Sequence, residues 1–206
     1  MKVEGEHTFN GTRQQVWELF RDTEVMSAAL PGTEKMELVA ENQYEAVMNV
    51  RVGPVAGVFS GDLVISNESF PESYTMTVEG KGKPGFMKGM GDIILVEQDE
   101  KTTIMKYTGE VQIGGKLAGV GQRLIDTVSK SIISQAFETL DSVLAERTAA
   151  AEEGREAVYQ EASESDYASA VAKDFLGGIL SAPWVKWLLV IIVATIIGLI
   201  LLLSLI

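Results

Sequence analysis

The chain has 206 residues, a net charge of −12 and a pI near 4.6. It has no cysteine and one histidine, which excludes disulfides, thiolate nucleophiles, iron–sulfur clusters, cysteine zinc sites and multi-histidine metal sites. The negative charge opposes nucleic-acid phosphates and anionic lipid headgroups, so we expect no nucleic-acid partner and no metal.

The first predicted elements are a strand, two short helices and a tight turn. A strand is expected near residues 3–9, and Thr12 can cap a helix that runs through Phe20. A second short helix follows and ends before the Leu-Pro-Gly sequence at 30–32, where proline and glycine favour a turn.

Strands dominate the middle of the chain. Apolar and polar residues alternate over 44–51, which is typical of a sheet with one wet face. The same pattern predicts further antiparallel strands around 59–65, 74–78, 93–95 and 105–113. The glycine-rich segment 81–91 does not resemble an ordinary strand interior, and it has two interpretations, a mobile gate or a hairpin bend.

A long closing helix is predicted over about 117–147, where apolar residues recur at helical spacing. The elements together predict an α+β helix-grip fold: a curved antiparallel sheet of six or seven strands, two short helices and one long C-terminal helix, in a single domain of residues 1–147. One helix cannot fill the space beneath a wide curved sheet. We therefore expect an apolar cavity that takes a small hydrophobic molecule or lipid.

Seven methionines lie in this domain, and flexible thioethers can adapt to a ligand, although they also serve as core filler. The residues expected to line the cavity come from the sheet and the long helix: Met48, Phe59, Met76, Met90, Met105, Tyr107, Leu124 and Val128.

The rest of the chain predicts a linker and a membrane anchor. Residues 148–182 are acidic and rich in alanine, glutamate and serine, which indicates a spacer or, alternatively, a docking strip for a basic partner. Residues 187–206 carry no charge, and as a helix they would extend about 30 Å. With Trp184, Lys186 and Trp187 at the interface, residues 183–206 are expected to form a transmembrane helix. The charged N-terminus lacks a secretory signal, so we expect a single-pass protein of the cell membrane with a cytoplasmic N-terminal domain.

Four segments together resemble the CoxG family of carbon monoxide dehydrogenase proteins: residues 16–20, 30–32, 114–117 and 121–125. That family belongs to the START-like, polyketide-cyclase-like superfamily, and the resemblance covers residues 1 to about 147. It implies a START-like domain that recruits a molybdenum-containing carbon monoxide dehydrogenase to the membrane, so that electrons reach the quinone pool.

Three functions remain open at this stage. The first is a carrier that holds a quinone such as menaquinone, with no covalent cofactor, and the second is a recruitment adaptor with an empty cavity. The third is a cyclase- or hydrolase-type enzyme, whose acid–base candidates would be Asp62, Asp92, Tyr107 and Glu110. These four residues fit equally well on solvated strand faces, and His7 fits an ordinary strand position near the surface, so no catalytic residue is predicted.

Overall fold

Seven antiparallel strands form one sheet in the computed structural model of the chain, which describes residues 1–155 apart from the side chain of Glu152. The strands are β1 (Lys2–Phe9), β2 (Thr33–Ala40), β3 (Gln43–Val52), β4 (Val55–Ser69), β5 (Ser73–Gly82), β6 (Gly85–Asp99) and β7 (Thr102–Gly115). Their order in the sheet is β1-β7-β6-β5-β4-β3-β2. Strands β2 to β7 are therefore a meander of hairpins, and β1 pairs with the last strand.

Two short helices connect β1 to β2 and begin at side-chain caps. Helix α1 (Arg13–Leu19) starts with a capping box, in which the Gln15 amide N–H donates to the Thr12 hydroxyl and the Thr12 N–H donates to the Gln15 side chain. Helix α2 (Thr23–Ala29) starts at Asp22, whose carboxylate accepts from two backbone N–H groups. The helix expected after Thr12 is confirmed.

The turn at 30–32 also forms as expected. Gly32 has φ of +80°, and a Cβ there would lie 2.3 Å from the carbonyl oxygen of Asn49. Only glycine can therefore occupy this position without moving the chain.

The long helix α3 spans Gln122–Glu153, so both of its ends lie later than the predicted 117–147. Gly121 has φ of +93°, which is not helical, and a separate 3-10 turn at Ala118–Val120 precedes it. At the other end, the alanines at 149–151 favour continuation until Gly154, whose φ of +67° ends the helix.

The predicted linker therefore begins with helical residues 148–153. The remainder of 148–182 and the predicted transmembrane helix at 183–206 lie outside the described residues. Within residues 1–155, no helix is both long and apolar enough to cross a membrane.

Buried side chains form two groups between α3 and the sheet. The main core joins α1, α2, the C-terminal half of α3 and one end of the sheet, and it includes Phe9, Trp17, Leu95 and Leu140. The second cluster lies where α3 begins and consists of Val52, Phe59, Leu117 and Val128. The helix thus covers the sheet at two separate places.

Candidate functional site

The register of the strands defines which side chains face α3. Ile93 of β6 pairs with Tyr74 of β5 and with Tyr107 of β7, and Ile93 and Tyr74 are buried. Because side chains alternate along a strand, every second residue from these three lies on the same face of the sheet. We call this face, which packs against α3, the inner face.

Glycine occupies most of the centre of the inner face. Counting by twos from Ile93, Tyr107 and Tyr74 reaches glycine in each of the three strands, and the strand β4 adds one more through its pairing with β5. We call this group the glycine floor: Gly61, Gly80, Gly89, Gly91 and Gly109. The centre of the sheet therefore offers backbone, rather than side chains, to the helix.

The floor also marks where neighbouring strands approach most closely. A Cβ on Gly61 would lie 2.4 Å from the carbonyl oxygen of Glu79, and one on Gly91 would lie 2.8 Å from that of Thr108. Any larger residue would push these strands apart, so glycine permits the curvature of the sheet there.

Gly80 shows that the floor borders open space. It is buried, yet a Cβ built on it would meet no heavy atom within 4 Å. Inner-face neighbours such as Leu63, Met76 and Val111 are only half-buried, whereas Ile93 in the main core is 3% exposed. An apolar space therefore lies over the floor.

The stretch of α3 between its two contact regions carries polar groups. Ile132 belongs to the second cluster and Ala136 to the main core, so residues 131–135 connect the two. Ser131 is 5% exposed, and the Oε1 atom of Gln135 is buried without a hydrogen-bond partner among the described residues. A side-chain amide can both donate and accept, so Gln135 can bind a polar group of a ligand.

An aromatic group lies where β1 meets α3. His7 stacks on Phe137 with ring centroids 4.3 Å apart and meets Phe9 edge-on at 4.6 Å. Its Nε2 lies 2.9 Å from a carboxylate oxygen of Asp141, to which it donates a hydrogen bond. His7 is thus half-buried and joins β1 to α3, a role that its interpretation as a surface residue missed; inward alternation with Phe9 would have indicated it.

Five of the eight predicted ligand-binding residues lie on the inner face or opposite it, beside the floor. Met76 pairs with Gly91, and Met48 is half-buried and pairs with Phe59. Three residues belong to the second cluster or pack against it: Phe59, Leu124 and Val128.

The other three residues lie elsewhere. Tyr107 leans over Gly5 of β1, since a Cβ on Gly5 would lie 2.3 Å from its hydroxyl, and burial raises its pKa above the ordinary value, which keeps the phenol neutral. Met105 is 5% exposed within the main core. Met90 is 63% exposed and adjoins Gly91, so it lies on the outer face and cannot line the inner space.

The acid–base candidates do not converge. Asp62, Asp92 and Glu110 are exposed and alternate with inner-face residues, so they lie on the outer face, whereas Tyr107 lies on the inner one. Asp92 accepts a hydrogen bond of 2.7 Å from Thr75 there. Among residues 1–155, no three acidic or histidine side chains are close enough to bind a metal ion.

Several solved structures have the same fold. A conserved protein from Geobacillus kaustophilus is 28% identical, with a TM-score of 0.68 over 71% of this chain and 97% of that one. The ZhuI aromatase/cyclase from Streptomyces sp. R1128 is 14% identical, with a TM-score of 0.55 over 73% of this chain and 97% of the other. A START superfamily protein from Mycobacterium smegmatis is 11% identical, with a TM-score of 0.54 over 70% of this chain and 97% of the other. The last two likenesses concern the fold alone, and they confirm the START-like prediction for the described domain.

Sequence comparison identifies the family. No curated protein matches the chain. The family model of the carbon monoxide dehydrogenase protein CoxG, however, matches residues 5–145, which include the whole sheet except its first residues and most of α3. The resemblance seen in the short sequence segments is therefore confirmed, and the chain belongs to the carbon monoxide dehydrogenase CoxG family.

Proposed function

We propose that this protein holds an isoprenoid quinone, such as menaquinone, over the glycine floor and presents it at the membrane to a carbon monoxide dehydrogenase-type molybdenum enzyme. The observation that carries this proposal is Gly80, which is buried and nevertheless faces open space. The family and the START-like fold support the coarser statement, a hydrophobic-ligand-binding protein associated with carbon monoxide dehydrogenase.

The chemistry of the inner space suits such a ligand. Its walls are apolar and half-buried, so a bound hydrocarbon would remove both its own surface and that of Leu63, Met76 and Val78 from water. A floor without side chains leaves room for a flat ring. The amide of Gln135 can donate a hydrogen bond to a quinone carbonyl, which would also use a polar side chain that has an unpaired buried atom.

The membrane part of the proposal rests on the sequence of residues 183–206. An uncharged segment of this length, with tryptophan and lysine at its start, is typical of a spanning helix. The anchor would keep the N-terminal domain on the cytoplasmic side and close to both the quinone pool and the enzyme.

Neither alternative function is supported by a comparable observation. The aromatase/cyclase relative shares the fold at 14% identity, but the carboxylates considered for catalysis here lie on the outer face. A recruitment adaptor without a ligand needs no space over the floor, and the experiment below distinguishes it from a carrier.

The test uses the full chain, purified from membranes, extracted with organic solvent and examined by mass spectrometry for a stoichiometric quinone. Gly80→Leu should abolish the bound quinone, because its side chain would fill the space above the floor. Gly119→Leu is the matched control, since a Cβ there also meets nothing within 4 Å but Gly119 is exposed. A wild-type protein that carries no quinone and takes up none when menaquinone is added would leave only the adaptor.

A further inference from the structure

The end of the molecule where α3 begins is built from two hairpins and one junction. The β5–β6 hairpin turns at Lys83 and Pro84, and the side chain of Pro84 would lie 2.6 Å from a Cβ on Gly57 near the β3–β4 hairpin. The Leu117 N–H, at the junction of β7 and α3, donates a 3.2 Å hydrogen bond to the carbonyl of Pro84. We call this region the hairpin end, and it includes the second cluster.

Lysines gather at the hairpin end. Four of them, with Pro84, Phe86 and the neighbouring glycines, line an open surface groove of about 570 Å³. We call them the lysine cluster: Lys81, Lys83, Lys88 and Lys116. Lys88 pairs with Glu79 at 2.8 Å, whereas the other three make no ion pair with any described residue.

This concentration of unpaired positive charge is unusual for a chain with a net charge of −12. At the opposite end of the sheet, the arginines are neutralised: Arg13 lies beside two glutamates, and Arg21 is 2.7 Å from Glu68. Lys101, Lys106 and Lys130 also lack ion pairs within the described region, but they line no common groove. The N-terminal domain therefore has one basic end on an otherwise acidic surface.

An exposed aromatic ring accompanies the cluster. Phe86 pairs with Lys81, is 42% exposed and packs over Gly114. Aromatic rings beside lysines are typical of surfaces that lie at lipid headgroups, where the ring enters the interface and the ammonium groups meet phosphates.

We propose that the lysine cluster and Phe86 dock on anionic lipid headgroups, so that the hairpin end faces the bilayer. This inference rests on the membrane anchor of the proposed function. Lipid phosphates complement the charge of the cluster, and the acidic remainder of the domain is repelled by the same surface, so attraction and repulsion favour one orientation. In that orientation, the second cluster lies between the bilayer and the glycine floor.

The test measures the orientation of the full chain in lipid nanodiscs made of phosphatidylcholine alone or with added phosphatidylglycerol. Since the chain has no cysteine, Ala118→Cys at the hairpin end and Ser69→Cys at the opposite end can each carry a single bimane fluorophore. Lipids with spin-labelled headgroups quench a nearby fluorophore. We expect quenching at position 118 only, only with phosphatidylglycerol, and its loss at high salt.

Two matched triple variants test the cluster itself. Lys81→Gln, Lys83→Gln and Lys116→Gln together should reduce quenching at position 118 to the level found in phosphatidylcholine. The control combines Lys101→Gln, Lys106→Gln and Lys130→Gln, which changes the net charge equally and should leave quenching unchanged.

The outcomes separate this inference from the proposed function. Quenching that is equal in both lipids, or equal in both triple variants, overturns lipid docking and leaves an acidic protein as the partner of the cluster, while the anchor stands. A chain that enters neither kind of disc overturns the anchor and the docking together. Loss of quinone binding with lipid-dependent quenching intact overturns only the carrier.

Discussion

The imidazole of His7 lies almost parallel to the ring of Phe137, with 12° between their planes and 4.3 Å between their centroids. Its Nε2 also reaches the carboxylate of Asp141, one helical turn further along α3. Through these two contacts, the first strand of the chain holds the C-terminal half of α3 against the sheet.

Replacing His7 by alanine should lower the free energy of unfolding by about 1–2 kcal/mol, since it removes the stacked ring and a hydrogen bond. Urea denaturation of the full chain in detergent, followed by circular dichroism, measures the change. Asp141→Asn is the control: the pair is partly exposed, so we expect a loss below about 0.5 kcal/mol. A larger loss in Asp141→Asn than in His7→Ala would show that the ion pair, and not the stacking, holds the strand.

Gly61 and Gly80 face each other across β4 and β5, and they should respond differently to alanine. Gly61→Ala should lower the free energy of unfolding by about 1–3 kcal/mol, because the methyl group collides with the Glu79 carbonyl. Gly80→Ala should leave it unchanged or raise it by up to about 1 kcal/mol, since the methyl group enters open space and the unfolded chain loses freedom. Thermal melts of both variants measure the contrast, and equal destabilisation would contradict an open space beside Gly80.

The cap of α2 predicts how stability depends on acid. Partial burial tends to raise the pKa of Asp22, but the Arg147 guanidinium and two backbone N–H groups outweigh it, and the pKa falls below its ordinary value of 3.8. Because the folded-state pKa is the lower one, the stabilisation is fully present above the unfolded-state value and is lost as the pH falls through the folded-state value.

Asp22→Asn should therefore flatten the decline of stability below about pH 4, while its amide oxygen keeps the cap. Denaturation curves collected between neutral pH and pH 3 measure this slope. Glu24→Gln, a neighbouring change of the same charge, should leave the slope as in the wild type. An unchanged slope in Asp22→Asn would show that other carboxylates control the acid sensitivity.

Much of the fold could be predicted from the sequence because its rules are local. Alternation in 44–51 and 105–113 reports a half-buried strand directly, and Thr12 with Gln15 defines a helix start. The ends of α3 were less predictable, because apolar spacing continues through residues 117–120 while the backbone of Gly121 departs from the helix.

The site was harder to predict because glycine has no side chain to show which face it occupies. Along 85–91 the hydrophobic alternation disappears, and Met90 was therefore assigned to the cavity although it lies on the outer face. The β5–β6 hairpin confirms the hairpin interpretation of this segment. Counting back by twos from Ile93 would have placed Gly91 and Gly89 inside and Met90 outside.

The two contact regions of α3 differ greatly in size: within residues 1–155, the main core has 16 buried residues and the second cluster has four. Since the free energy of local opening rises with the apolar surface exposed, the first turns of α3 should separate from the sheet long before the last turns do. The helix then acts as a lever that pivots near residues 131–135. Amide protons around Leu124 should exchange with solvent faster than those around Leu140, and a molecule could enter the inner space while the rest of the fold stays closed.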